Sequence, residues 1–126
     1  MGHPVISCYF ETINAGDYSD TAALFAADGE MRPPFETPIK QPDIANYLAK
    51  EASGMTLHPR HAEMLSGGDD TSSENPLDAY GISVSGYVQT PLFGVNVAWL
   101  FALQGDTIQA VRIKLLASPQ ELLKLR

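Results

Sequence analysis

The sequence predicts an α+β fold in which a curved, mostly antiparallel sheet wraps around N-terminal helices. Three observations predict it. Apolar residues in the first half recur at helical spacing. From Ala79 onward the period changes to two. Helices come first and strands after, which is the order of an α+β fold rather than of alternating βαβ units. The 126 residues fit one domain over residues 1–126, large enough for a core without metal or disulfide staples.

The elements follow from local signals. Val5, Cys8, Tyr9 and Ile13 predict a helix over residues 5–14, stopped by Asn14-Ala15-Gly16. This turns Tyr9 inward. A short second helix fits Asp17 to Phe25, and Ala27-Asp28-Gly29 reads as a turn. Glu30 to Arg32 form a short strand that Pro33-Pro34 breaks. A third helix starts after Pro42, buries Ile44, Tyr47 and Leu48, and ends at Ser53-Gly54. Residues 55–64 read as a strand interrupted by Pro59, and the polar stretch Ser66 to Pro76 as an exposed loop.

The second half is clearer. Ile82, Val84 and Val88 share one strand face, and Val95, Val97, Trp99, Phe101 and Leu103 share another. Gly105-Asp106 makes a tight turn, so the next strand pairs back as a hairpin. There Val111, Ile113 and Leu115 alternate with Arg112 and Lys114. Ser118-Pro119-Gln120-Glu121 offers a cap, a first-turn proline and a capping-box glutamate, so a last helix covers Pro119 to Leu123.

Composition removes several classes. The net charge of −7 opposes binding to nucleic acid, and limits membrane contact to transient encounters, because both are polyanionic surfaces. Cys8 is the only cysteine, so no intramolecular disulfide forms and a reducing compartment is expected. Met1-Gly2-His3-Pro4 lacks a basic n-region, Ile6 stands where a myristoylation signal needs Ser or Thr, and no stretch approaches a membrane span. A cytoplasmic protein is expected. His58 and His61 flank Pro59 without a third ligand, so no metal site is expected.

Chemistry concentrates in the last third. Two long apolar strands and a capped helix enclose one indole N–H, that of Trp99, with the phenol of Tyr9 facing it from the first helix. The positions read as inward are Val88, Val97, Trp99, Phe101, Val111, Ile113 and Leu115, and none is ionisable. Such a cone suits a large, flat, apolar ligand better than it suits catalysis.

Thr12-Ile13-Asn14-Ala15-Gly16-Asp17, Ala23-Leu24-Phe25-Ala26 with Asp28-Gly29, Pro33-Pro34-Phe35, Val88-Gln89-Thr90-Pro91, Phe93-Gly94, Ala98-Trp99 and Leu115 to Leu123 carry a resemblance over nearly the whole chain. The sequence resembles the carotenoid-binding C-terminal domain of the cyanobacterial orange carotenoid protein, and more closely its stand-alone homologues. The resemblance implies the nuclear transport factor 2-like fold and a bound ketocarotenoid of canthaxanthin or echinenone type. It places Tyr9 and Trp99 at the positions that hydrogen-bond the ring's keto oxygen. Ile113 and Leu115 match tunnel-lining positions, and Leu57 and Phe93 are assigned there with them.

A non-catalytic protein for carotenoid storage, delivery to helical N-terminal-domain-type carriers, photoprotection and singlet-oxygen quenching is the function implied, with a homodimer sharing one carotenoid. The sequence also departs from the pattern. The helical N-terminal carotenoid domain is absent, so self-contained switching is not expected. Leu92 replaces a second tryptophan, and the segment from Phe93 to Trp99 is short, as in the stand-alone homologues. Arg112 and Lys114 replace less basic residues on the outer sheet face. Ala102 and Leu103 stand where some homologues carry a cysteine.

Two rival classes share the fold. An isomerase, dehydratase or cyclase needs a general base inside the cone, for which Glu11 and Asp20 are the candidates the sequence offers. A pure dimerisation module needs a cavity filled by its own side chains.

Overall fold

Residues 3–65 and 81–116 are described by a computed structural model. The expected loop over residues 66–76 and the expected helix over residues 119–123 lie outside the described residues. Helix α1 spans Pro4–Ala15 and helix α2 Tyr18–Ala23. Strand β1 spans Phe25–Arg32, β2 Ile39–Lys40, helix α3 Gln41–Glu51, and β3 Thr56–Met64. Strands β4 (Ile82–Gln89), β5 (Gly94–Gln104) and β6 (Thr107–Leu116) follow. The six strands form one sheet in the order β2-β1-β6-β5-β4-β3, antiparallel except where β1 runs parallel to β6. The expected α+β class holds.

Helix α1 begins at a favourable boundary. Pro4 occupies the first turn, where its missing N–H costs nothing, and His3 Nδ1 accepts a bond from the Val5 N–H at 3.4 Å. Gly16 ends the helix at φ +80°, a left-handed conformation in which a Cβ is strained. Val5, Ile6, Tyr9, Phe10 and Ile13 form its buried stripe. Two polar anchors fix the helix. Thr21, fully buried, donates to the Thr12 hydroxyl at 2.6 Å and joins α2 to α1. Asn14 donates to the Leu57 carbonyl at 2.9 Å and accepts from the Leu57 N–H at 2.7 Å, tying the end of α1 to the start of β3.

Several local expectations change. The second helix stops at Ala23, because the Ile108 N–H takes the Leu24 carbonyl at 2.9 Å and Phe25 enters the sheet opposite Ile108. Ala27-Asp28-Gly29 is not a free turn but an irregular stretch inside β1. There the register slips between Phe25↔Ile108 and Glu30↔Ala110. Strand β2 was not expected, since two residues carry no periodicity. It is held by the cross-strand pairs Glu30↔Lys40 and Met31↔Ile39. Pro59 does not break β3. It lies on the sheet's edge strand, where a missing N–H is tolerated, and the register slips by a bulge between Pro59 and His61.

The hairpin of β5 and β6 forms as expected, with Gly105 at φ +61° in the two-residue turn between Gln104 and Thr107. The registers align inward residues across three strands. Val84, Trp99 and Ile113 stand in one row, and Gly86, Val97 and Leu115 in the next. This face curves around α1, and the core lies between them.

Candidate functional site

An apolar cavity of about 330 Å³ opens between the concave sheet face, α1, α3 and the Pro33-Pro34 loop. All six residues that the sequence singled out line it: Tyr9, Leu57, Phe93, Trp99, Ile113 and Leu115. Of the other positions read as inward, Val88 and Val97 line it too. Phe101 and Val111 are fully buried in the core without bordering the cavity.

The inner end is built by aromatic packing. Tyr9 and Trp99 are each 1% exposed. The Tyr9 ring meets Phe10 edge-on at 5.1 Å and Phe101 edge-on at 5.2 Å. Phe10 in turn meets the Trp99 ring at 4.7 Å. Such contacts lock both rings in orientation. Yet among the described residues neither the Tyr9 hydroxyl nor the Trp99 indole N–H has a hydrogen-bond partner. Buried polar groups ordinarily find one, so two orphaned donors at the same cavity are unusual. Burial, with the nearby Tyr47 phenol adding to it, pushes the Tyr9 hydroxyl well above the usual phenol range. Tyr9 therefore stays a neutral donor at any physiological pH.

The mouth is different. Phe93 is 60% exposed and Leu115 47% exposed, so both belong to the rim rather than to an inner wall. Phe93 is nevertheless well held. The Thr90 hydroxyl donates to its carbonyl at 2.8 Å and accepts from its N–H at 3.0 Å. Leu57 is buried, and Ile113 is partly buried beside Trp99.

The sequence missed the polar part of the mouth. Glu36, Tyr47 and Glu51 also line the cavity. Tyr47 donates to Glu36 Oε2 at 3.3 Å. Burial, followed by the charges of Glu36 and Glu51, pushes its hydroxyl up to about 12. The strand positions read as inward are indeed unionisable, but the helix and loop opposite them supply two carboxylates. Glu51 was within reach of sequence reasoning, lying one helical turn after Tyr47 on the same face. Glu36 sits in an irregular loop and leaves no periodic signal. Glu11 and Asp20, the acids considered from sequence, are exposed and away from the cavity.

No cluster of three or more metal-ligating side chains occurs among the described residues. None of the described helices is long and apolar enough to cross a membrane. Cys8 is partly exposed.

No protein-family model matches the chain. It is 37% identical over 124 residues to the orange carotenoid-binding protein of Limnospira maxima, a match covering 93% of this chain and 36% of that protein. The chain thus spans just over a third of the length of that relative. A structure of the Anabaena (Nostoc) sp. PCC 7120 orange carotenoid protein binding canthaxanthin superposes with a TM-score of 0.78. The identity there is 33%, over 98% of this chain and 40% of that one. The fold reaches enzymes as well: the epoxide hydrolase/cyclase-like enzyme SalBIII gives a TM-score of 0.70 at 15% identity, covering 94% of this chain and 91% of that one, a likeness of fold alone. The chain is a homologue of the C-terminal part of the orange carotenoid-binding proteins and has their nuclear transport factor 2-like fold.

Proposed function

We propose that the protein is a non-catalytic ketocarotenoid-binding domain. It holds the keto-bearing ring of a carotenoid of canthaxanthin or echinenone type, stores it, and passes it to helical carotenoid carriers. Photoprotection and singlet-oxygen quenching follow from the bound pigment, in the cytoplasm.

One observation carries the reading: Tyr9 and Trp99 present to one apolar cavity two buried, uncharged donors that have no partner among the described residues. A ketone oxygen accepts up to two hydrogen bonds, and in a dry pocket each bond counts for more than in water. Polarising the carbonyl draws electron density along the polyene and shifts its absorption to the red. Val97, Leu57, Ile113 and the rim residues Phe93 and Leu115 supply apolar contact. Burial contributes roughly 25 cal/mol per Å² of apolar area, and that is the larger part of the affinity.

The test compares absorption spectra of the protein made in carotenoid-producing cells and in ordinary cells. A red-shifted visible band that co-purifies only from the first is expected, and Tyr9→Phe and Trp99→Phe each lose the shift. Unchanged spectra in both variants would overturn the hydrogen-bond assignment.

Glu36 and Glu51 favour a second reading, an isomerase, dehydratase or cyclase that uses one of them as base. Both are exposed to water at the mouth, away from the sheltered setting that tunes a carboxylate for proton abstraction. A protein colourless from both hosts that turns over small cyclic ketones would establish that reading.

A further inference from the structure

The cavity holds more hydrogen-bonding capacity than a bare ketone uses. Tyr9 and Trp99 already satisfy both acceptor sites of a carbonyl oxygen. Tyr47 and Glu36 remain. They belong to α3 and to the loop after β1, and both line the same cavity. Tyr47 donates to Glu36 Oε2 at 3.3 Å, and the other carboxylate oxygen has no partner among the described residues. The Tyr47 oxygen keeps acceptor capacity of its own while it donates. The cavity thus carries two donors at its inner end and acceptors nearer its mouth. A plain ketone ring engages the first set and leaves the second idle.

We propose that Tyr47 and Glu36 form a second polar subsite that accepts a hydrogen bond from a hydroxyl on the same end ring as the carbonyl, so that the cavity prefers a hydroxyketone ring to a plain ketone ring. This rests on reading the cavity as a ketocarotenoid site. Tyr9, Trp99, Tyr47 and Glu36 line one and the same cavity, so a single end ring seated there meets both sets. Glu51, one turn further along α3, adds negative charge beside Tyr47 and favours an incoming O–H dipole over a second carbonyl. The competing explanation is a surface pair that merely props the loop against α3. Such a pair affects both ligands equally.

The experiment offers the protein canthaxanthin and astaxanthin, the same pigment with a hydroxyl beside each carbonyl, in competition from detergent micelles. Bound pigment is extracted and quantified. A hydrogen bond to a partly charged acceptor pair predicts a preference for astaxanthin of roughly tenfold. Tyr47→Phe removes only the hydroxyl at a half-exposed position and brings the ratio to about one. Glu36→Gln retains an acceptor without charge and gives an intermediate ratio. Equal uptake by the unaltered protein, or a preference that survives Tyr47→Phe, overturns the subsite while leaving the ketocarotenoid reading intact. Uptake of neither pigment overturns that reading, and the subsite with it.

Discussion

Tyr9 is the residue on which the functional argument turns, and it makes a prediction without any ligand. A buried hydroxyl with no partner costs about 1–3 kcal/mol relative to a satisfied one. Tyr9→Phe removes that hydroxyl and keeps the edge-on ring contacts to Phe10 and Phe101. Urea unfolding of the pigment-free protein is therefore expected to show the variant at least as stable as the original, by up to about 1 kcal/mol more. A loss of 1 kcal/mol or more would mean that the hydroxyl is satisfied within the fold and is not held in reserve for a ligand. Sequence alone placed Tyr9 inward through its spacing with Val5, Cys8 and Ile13. It had no means of showing that the hydroxyl lacks a partner among the described residues, because hydrogen bonds depend on tertiary neighbours. Glu36 was hidden for the same reason, since its place at the mouth comes from how the Pro33–Pro38 loop folds back.

At the scale of elements, two glycines separate what the sheet requires from what it tolerates. A Cβ on Gly86 meets the His58 carbonyl oxygen at 2.3 Å and the Pro59 Cα at 2.9 Å, both backbone atoms at the β3 bulge. A Cβ on Gly94 meets the Tyr87 hydroxyl at 1.7 Å, a closer contact but with the tip of a half-exposed side chain. Backbone is costly to displace and a side-chain tip is not. Gly86→Ala is expected to destabilise by about 2–3 kcal/mol and Gly94→Ala by less than about 1 kcal/mol, read as shifts in the urea midpoint. The reverse order would show that the bulge is soft. Strand β2 provides a pH test. Burial opposes the charge on Glu30, but Lys40 at 2.8 Å and Arg32 hold its carboxyl below the ordinary carboxylate range. A folded value below the unfolded one stabilises the protein above the unfolded value, about 4.3, and the gain is lost as pH falls through the folded value. The melting temperature of the original protein is thus expected to exceed that of Glu30→Gln near pH 7. The gap closes below about pH 4, and a gap that widened on acidification would contradict the assignment. Strands β4 to β6 were legible because alternation over long runs is a strong signal, whereas β2 and the slipped part of β1 owe their place to pairing partners.

For the whole molecule, the size of the cavity bears on the size of the proposed ligand. About 330 Å³ lies at the lower end of the range that encloses drug-sized molecules, roughly 300–1,000 Å³, and a carotenoid is far longer than such a molecule. On the proposed function, one copy would enclose the end ring and the first part of the polyene, and the remainder would emerge past Phe93 and Leu115. Two large apolar side chains stand exposed at that exit, Phe93 and Leu115, and Leu92 beside Phe93 in the chain is exposed as well. A protruding polyene in water is costly in proportion to its apolar area, and a second copy offering the same rim removes that cost through a two-fold contact. The expectation is a dimer that holds one pigment between two cavities, forming on loading. Light scattering coupled to size exclusion, with absorbance detection, is expected to give one pigment per two chains for the coloured fraction and a lower mass for the colourless one. Leu115→Lys places a charge on the rim without touching Tyr9 or Trp99, and should lower the mass and the yield of the coloured fraction together. A coloured monomer carrying a whole pigment would mean instead that some other part of the chain covers the exposed polyene, and the dimer would then have no physical task.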